Sequence, residues 1–148
     1  MIISSNKKLV QLFIEQAWNH GRFNLLENIV QKDFLYTNNY AEQAMTYEGF
    51  CHYVAAIRQT IPDLEIEIED IIEEGDRLVS RTIFHGTPVK ALFGLEPDGK
   101  ILSLAGYSFW QVERNKIKSL NTIADLSGHP AYRGLNTSAS VTGVASGS

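Results

Sequence analysis

The sequence predicts an α+β fold, a cone-shaped barrel in which three N-terminal helices pack on a strongly curved, mainly antiparallel sheet. Two observations favour this class. Apolar residues recur at helical spacing over residues 5–60, and they alternate with polar residues over most of 64–125. Helices followed by a run of strands are typical of α+β domains. A curved sheet covered by helices encloses a pocket, and such pockets are mostly apolar with a few polar groups.

Three helical segments are predicted in the N-terminal part of the chain. The first spans residues 5–20 and ends at Gly21, a residue that commonly follows the last helical turn. Its apolar side chains form one stripe, at Leu9, Val10, Phe13, Ile14 and Ala17. A short second helix fits residues 23–30, and a third fits residues 47–60.

Five strands are predicted. They are a short strand over residues 34–38, a second that starts after Pro62, and three more over 77–87, 100–112 and 117–125. In the second strand, apolar side chains at Leu64, Ile66 and Ile68 alternate with three glutamates. One face of this strand is therefore expected to be dry and the other wet. Its dry face must be buried, either under the helices or against a partner.

Length and composition limit the classes of protein to which this chain can belong. The 148 residues predict one domain over 1–134, followed by an uncharged, flexible tail over 135–148. A net charge of -4 without a Lys/Arg cluster disfavours nucleic acid as a partner. Cys51 is the only cysteine, which fits the cytoplasm. We expect no signal peptide and no membrane segment, because the chain has neither pattern.

Asp125 on the last predicted strand is the candidate acid–base group. Strict alternation puts one set of side chains on one face of this strand: Ile117, Ser119, Asn121, Ile123 and Asp125. If that face lines the pocket, desolvation would raise the pKa of Asp125 and make it a usable acid or base near neutral pH. Asn121 could hydrogen-bond Asp125 or a developing enolate oxygen. Alternatively, Asp125 ends the strand and caps the next turn, and Asn121 is a satisfied core or edge amide.

Weaker candidates for ligand contact lie on the other strands. They are Tyr36, Asn38, His85, Tyr107, Trp110 and Gln111. Alternation puts Tyr107 and Gln111 on one face of their strand and Trp110 on the other. Tyr107 and Gln111 could donate or accept hydrogen bonds, Trp110 could form a stacking wall, and His85 could assist in proton transfer. Core packing for Trp110 and a surface position for His85 are the alternative interpretations.

The sequence gives no sign of a cofactor or metal site. It contains no glycine-rich phosphate loop and no nucleophile elbow. The four histidines, His20, His52, His85 and His129, show no paired ligand spacing. We therefore expect neither an organic cofactor nor a metal.

Short motifs follow one another in a fixed order over residues 5–126. They are Trp18-Asn19-x-Gly21, Tyr47-Glu48-Gly49-Phe50, Ile61-Pro62-Asp63-Leu64, residues 70–79, Gly86-Thr87, residues 93–100, and Lys116-Ile117 with Asp125 eight residues beyond Ile117. In this order and spacing the sequence resembles the SnoaL-like polyketide cyclases, a family of the nuclear-transport-factor-two-like superfamily.

The resemblance implies a small hydrophobic or aromatic ligand inside the cone and an intramolecular aldol ring closure. An aspartate at the position of Asp125 would be the general acid/base, and no cofactor would be needed. Asn121, Gln111 and Tyr107 would orient or polarise the substrate, while Trp18 and Trp110 would line the pocket. The resemblance also implies a homodimer, formed through the outer face of the sheet.

The sequence departs from the family pattern at three positions. Pro88 stands where a histidine often follows Gly-Thr, Asn121 where a tryptophan is common, and Gln111 where a histidine or arginine is common. Two functions therefore stay open. The first is a cofactor-free cyclase or isomerase acting on a polyketide-like carbonyl compound. The second is a non-catalytic binding or assembly module of the same fold.

Overall fold

The computed structural model describes residues 5–92, 94 and 96–125. The predicted tail, the domain boundary at residue 134 and His129 lie outside the described residues. The helical segments are α1 (Asn6–Ile14), a π-helical turn (Glu15–Asn19), a 3₁₀ helix (Phe23–Ile29) and α2 (Tyr47–Thr60). None of the described helices is long and apolar enough to cross a membrane.

Five strands form one mixed sheet. They are β1 (Val30–Asn38), β2 (Glu65–Glu74), β3 (Arg77–Gly86), β4 (Leu102–Glu113) and β5 (Lys116–Asp125). The order across the sheet is β1-β5-β4-β3-β2, with β1 parallel to β5 and the other pairs antiparallel. The α+β class, the three N-terminal helices and the mainly antiparallel sheet are confirmed. The sheet is not closed, because β1 and β2 form its two edges.

Local signals in the sequence account for the helix boundaries. The hydroxyl of Ser5 accepts a hydrogen bond from the backbone N–H of Lys8 and caps α1. Thr46 caps α2 in the same way by accepting from Gly49. Gly21 has a φ of 63°, a conformation that glycine adopts without strain, and it follows the π-helical turn. The predicted first and third helices are thus confirmed.

The core lies between the helices and the inner face of the sheet. Its centre is aromatic: the ring of Phe13 lies 5.3 Å from that of Phe50, and it meets Trp110 of β4 edge-on at 5.5 Å. In β2, Ile66 and Ile68 pack against this core while the intervening glutamates are exposed. The predicted dry and wet faces of β2 are confirmed, and the helices cover the dry face.

The predicted alternation along β5 is wrong, because the strand contains an extra residue. Ile117 pairs with Val112 of β4, but Ser119 pairs with Gln111, so Lys118 has no partner of its own in the register. A residue inserted in this way reverses which side chains face inward beyond it. Ile117 is fully buried at the start of β5, and beyond the insertion the inward side chains are Leu120, Thr122 and Ala124.

This reversal moves the predicted face of β5 to the outside. Asn121, Ile123 and Asp125 are exposed, whereas Ile117 is buried. The five residues from Ile117 to Asp125 that strict alternation grouped together therefore do not share one face.

Candidate functional site

An apolar cavity lies between the helices and the inner face of the sheet. Its volume is about 70 Å³, counted as the space open to the centre of a water molecule. The lining residues come from α1, the π-helical turn, α2, the loop after β1 and all five strands: Ile14, Trp18, Tyr36, Asn38, Tyr40, Tyr53, Ile57, Ile66, Thr82, Phe84, Leu104, Ala105, Gly106, Ser108, Trp110, Leu120, Thr122 and Ala124.

Trp18 forms part of the apolar wall of this cavity and is held by backbone contacts. It lies in the π-helical turn, where its ring meets Phe50 and Phe84 edge-on at 6.1 and 6.3 Å. Arg58 of α2 donates from Nη1 to the Trp18 carbonyl at 2.7 Å. The next residue, Asn19, bonds both the N–H and the C=O of Ile66 on β2. The π-helical turn is thereby fixed to both α2 and β2, so the indole ring has a defined place.

One corner of the cavity is polar, and we call it the hydroxyl corner: Tyr36, Asn38, Tyr53, Ser108 and Thr122. The sheet register brings three of these residues together, since Asn38 on β1 lies beside Thr122 on β5, which lies beside Ser108 on β4. The hydroxyls of Ser108 and Thr122 are 2.8 Å apart. Tyr36 is two residues before Asn38 and points to the same side, and Tyr53 reaches the corner from α2.

The amide of Asn38 has one fixed orientation. Its Oδ1 accepts from the backbone N–H of Tyr40 at 2.7 Å, so Nδ2 points towards the phenols. Nδ2 donates to the Tyr36 hydroxyl oxygen at 3.1 Å. The Tyr36 oxygen therefore acts as an acceptor towards Asn38 and keeps its own proton for donation to another oxygen.

Burial keeps these phenols neutral. Desolvation raises the pKa of Tyr36 well above its ordinary value of 10.0, and the neighbouring Tyr53 raises it further, against smaller opposing effects of the hydrogen bonds from Asn38 and Thr122. Burial likewise raises the pKa of Tyr53. At neutral pH the hydroxyl corner therefore offers hydrogen-bond donors and not bases.

The described lining of the cavity carries no charged side chain. Among the described lining residues there is no Asp, Glu, His, Lys or Arg. Within the described part of the chain, no group of three or more His, Cys, Asp or Glu side chains is placed to hold a metal ion. The described lining can accordingly bind and polarise a neutral polar group, but it supplies no ionised acid or base.

A model of the SnoaL-like polyketide cyclase family matches residues 8–130. The chain belongs to the SnoaL-like polyketide cyclase family. The search of curated proteins found no match to it.

Solved structures of this family and of related folds superpose on the chain. A SnoaL-like polyketide cyclase from Agrobacterium tumefaciens is 20% identical with a TM-score of 0.75, over 90% of this chain and 99% of that one. TsrD from Streptomyces laurentii is 23% identical with a TM-score of 0.74, over 90% and 98%. A protein with a ketosteroid isomerase-like fold from Catenulispora acidiphila is 18% identical with a TM-score of 0.69, over 86% and 92%. At these identities, the likeness shows a shared fold.

Four of the candidates chosen from the sequence line the cavity of this SnoaL-like fold: Trp18, Tyr36, Asn38 and Trp110. Trp110 also belongs to the core, because it is 3% exposed and its indole N–H donates to the Ser80 hydroxyl at 2.8 Å. Both proposed uses of this tryptophan, in packing and as a pocket wall, are thus present in the structure.

Four other candidates lie on the outer face of the sheet: His85, Tyr107, Gln111 and Asn121. Tyr107 and Gln111 alternate with the inward residues of β4, so their side chains point away from the inner cavity. Gln111 and Asn121 instead line a shallow depression on the outer face. The His85 ring lies 3.3 Å from the hydroxyl of Ser103, another outward residue. Asn121 lies on the outer face because of the inserted residue in β5. None of these four lines the inner cavity, so their contact with a ligand there stays a prediction.

Asp125 is exposed at the end of β5, while the preceding Ala124 lines the cavity. The desolvation that would raise its pKa depended on an inward orientation, and the structure contradicts that orientation. The backbone partner of Asp125 in β4 is Ala105, which lines the cavity together with Ala124. Its role as acid or base stays a prediction.

Sequence reasoning missed Tyr53, Ser108 and Thr122. Ser108 lies two residues before Trp110 on the same strand, so both side chains point to the same face. The choice of Trp110 as a pocket wall therefore implied that Ser108 also lines the pocket. Tyr53 lies three residues after Phe50, on the same side of a predicted helix. Thr122 could not be found by alternation, because the inserted residue in β5 is not visible in the sequence.

Proposed function

We propose that this protein cyclises or isomerises a carbonyl-bearing, polyketide-like natural product inside the cavity, without a cofactor. The observation that carries the proposal is the hydroxyl corner, a set of neutral donors in an otherwise apolar cavity. A group of this kind is suited to a substrate oxygen that becomes negative during the reaction. Membership of the SnoaL-like polyketide cyclase family supports the same class of reaction.

The reaction begins when a base removes a proton from the carbon next to a carbonyl group. The electron pair of that C–H bond forms an enolate, whose oxygen Tyr36 and Tyr53 stabilise by hydrogen bonds. In an aldol closure, the enolate carbon attacks a second carbonyl of the same molecule, and the resulting alkoxide takes up a proton. In an isomerisation, the proton returns to a different carbon. The cavity walls hold the chain in the folded conformation that ring closure needs.

We assign the proton transfer to Asp125. It is the carboxylate next to Ala124, and its position corresponds to the aspartate that the family resemblance implies. An exposed carboxylate beside the cavity can exchange protons with water, and a bound substrate would reduce its contact with solvent. The hydroxyl corner then acts on the substrate oxygen while Asp125 acts on the carbon.

A second function is favoured by one observation. The described cavity lining has no ionisable side chain apart from Tyr36, Tyr40 and Tyr53, and burial raises the pKa of Tyr36 and Tyr53. A protein that only binds a neutral ligand needs no such group. A non-catalytic binding module is therefore the alternative to the enzyme.

The test is turnover of linear and partly cyclised polyketide esters, followed by chromatography and mass spectrometry. We expect wild type to form a cyclised or isomerised product. Tyr36→Phe should lower the rate by about 10²-fold, the usual effect of removing one oxyanion donor. Asp125→Asn should abolish turnover and leave binding intact.

Two control variants separate chemistry from folding. Tyr47→Phe removes a half-buried hydroxyl that donates to the Phe23 carbonyl and does not line the cavity, and Asp70→Asn neutralises an exposed carboxylate on β2. Both should keep wild-type rates in the folded protein. Turnover that survives Asp125→Asn would remove the assigned base. Binding of an ester without turnover in any variant would favour the binding module.

A further inference from the structure

We propose that the hydroxyl pair Ser108 and Thr122 binds the second carbonyl of the substrate, the one that the enolate carbon attacks, so that the reaction is ring closure and not isomerisation. The inference deepens the proposed function and rests on it for the formation of the enolate. It depends on the place of the pair in the sheet, on the proton that the pair offers, and on the second negative oxygen that ring closure creates.

The sheet register places the pair next to the phenol that the proposed function assigns to the enolate oxygen. Thr122 on β5 lies beside Asn38 on β1, and Ser108 on β4 is the next residue in the same row. Asn38 donates to the Tyr36 hydroxyl, which brings this phenol to the β1 end of the row. Burial raises the pKa of Tyr36, and the nearby Thr122 is among the groups that oppose the rise. Because neighbouring strands lie about 4.8 Å apart, the pair is adjacent to the phenol and extends away from it across the sheet.

The pair can donate one proton to a ligand. The hydroxyl oxygens of Ser108 and Thr122 are 2.8 Å apart, and either hydroxyl can be the donor of the hydrogen bond between them. Each hydroxyl carries one proton, so this bond uses one proton and leaves the other. Both residues line the cavity. A carbonyl oxygen bound there can therefore accept the remaining proton.

The other hydroxyls of the described lining already have acceptors or an assigned role. Thr82 donates to the backbone carbonyl of Gly106 at 3.3 Å, and Tyr40 donates to that of Ala124 at 3.2 Å. The two buried phenols are assigned to the enolate oxygen. Within the described lining, the pair is therefore the hydroxyl group suited to a second oxygen.

Ring closure creates negative charge on two oxygens in succession, whereas isomerisation creates it on one. When the enolate carbon attacks the second carbonyl, the electron pair of the enolate C=C bond forms the new C–C bond. The π pair of the attacked C=O bond moves to its oxygen, which becomes an alkoxide. The proton that the base removed from carbon then returns to this alkoxide, so the product has the composition of the substrate and one new ring. A hydrogen-bond donor at the alkoxide lowers the barrier of the second step, and the pair supplies it.

The experiment separates enolate formation from ring closure by running the reaction in D₂O. One probe is a linear methyl ester with two ketones separated by three CH₂ groups. The other is the same ester with a CH₂ group in place of the second ketone. Wild type should exchange hydrogens next to a ketone for deuterium in both probes and close the diketone ester to a ring, both measured by mass spectrometry. Tyr36→Phe should slow exchange in both probes.

The variant that tests the pair combines Ser108→Ala with Thr122→Val. Replacing both partners of a hydrogen bond by apolar groups of similar shape is nearly neutral for stability, so this protein should fold. It should lower the ratio of ring product to deuterium exchange by about 10²-fold, the usual effect of a lost oxyanion donor. Exchange in the monoketone ester should stay at the wild-type rate, because the enolate site is intact.

Two further variants are the controls. Thr122→Ser keeps both hydroxyls of the pair and should keep the wild-type ratio. Ser103→Ala changes an exposed serine on the outer face of the same strand as Ser108, and it should leave both steps unchanged.

Other outcomes overturn the inference. An unchanged ratio in the double variant would mean that the pair is a structural contact. Equal losses of exchange and ring closure would mean that the pair acts through Tyr36 or through the fold. An isomerised product without a ring from wild type would leave the proposed function standing without this inference. No exchange of either probe by wild type would overturn the proposed function, and the inference with it.

Discussion

The hydroxyl of Tyr36 lies in the core, where the residue is 2% exposed, and its ring lies 4.9 Å from that of Phe50. A phenol at this depth has a hydrogen-bond donor in Asn38 and a raised pKa, and both follow from its place on the inner face of β1. The same burial that makes Tyr36 a neutral donor also connects the stability of the fold to pH. The raised pKa means that the folded state keeps a proton which the unfolded state loses.

We expect the protein to lose stability at alkaline pH, partly through Tyr36. Below about pH 10 both states hold the proton and Tyr36 has no effect on the pH dependence. Above it, the unfolded state is ionised while the folded state is not, so the free energy of unfolding falls by up to about 1.4 kcal/mol per pH unit for this group. Urea unfolding between about pH 9 and 11 should show a steeper fall in wild type than in Tyr36→Phe.

The comparison uses slopes, because Tyr36→Phe also has a cost at neutral pH. It leaves the Asn38 amide without an acceptor, which costs about 1–3 kcal/mol. Tyr53→Phe should reduce the alkaline slope in the same direction, since burial raises the pKa of that phenol too. Parallel slopes in wild type and both variants would mean that these hydroxyls are not buried as described.

At the scale of elements, the helix boundaries and the alternation of β2 and β4 were predictable from the sequence. Local signals specify them: caps at Ser5 and Thr46, and two-residue alternation along β4 and along β2 up to its register shift between Ile68 and Asp70. β5 was not predictable in the same way. The residue inserted at Lys118 is defined by pairing with β4, and pairing involves residues distant in sequence. This single insertion moved Asn121 and Asp125 to the outside and brought Thr122 into the cavity.

The end of the π-helical turn is attached to β2 by one side chain. The Asn19 amide donates to the Ile66 carbonyl at 3.1 Å, and its oxygen accepts from the Ile66 N–H at 2.7 Å. Because β2 is an edge strand, these two bonds take the place of a neighbouring strand at this point. We expect Asn19→Ala to lower the free energy of unfolding by about 2 kcal/mol in urea denaturation.

The matched control for this prediction is His20→Ala. His20 is the next residue and is exposed, so its truncation should change stability by less than about 0.5 kcal/mol. Equal losses in the two variants would show that the amide bonds of Asn19 contribute nothing specific.

For the whole molecule, the sequence predicted the fold class and four residues of the cavity lining. Trp18, Tyr36, Asn38 and Trp110 line the cavity because periodicity within one element decides their orientation. The cavity itself depends on how distant elements meet, as at the hydroxyl corner, where β1, β5, β4 and α2 come together. That arrangement follows from the sheet order, which no local pattern encodes.

The outer face of the sheet carries an apolar patch. Its exposed members are Ile72, Val79, Tyr107, Phe109 and Ile123. The register aligns Ile72, Val79 and Phe109 in one row across three strands, and Tyr107 with Ile123 in the next row. Contiguous apolar patches of this kind mark interaction sites.

We expect this patch to be the interface of a homodimer, in which Phe109 lies near the centre. Burial of the patch against a second copy removes apolar side chains from water, and a stable dimer needs about 800 Å² on each partner.

Light scattering after size-exclusion chromatography should give twice the chain mass of 16.6 kDa for wild type. Phe109→Asp should give the monomer, because it buries an unpaired charge in the interface. Leu25→Asp, which changes an equally exposed apolar residue on the 3₁₀ helix, should stay dimeric. A wild-type monomer, or dissociation by both variants alike, would contradict an interface at this face of the sheet.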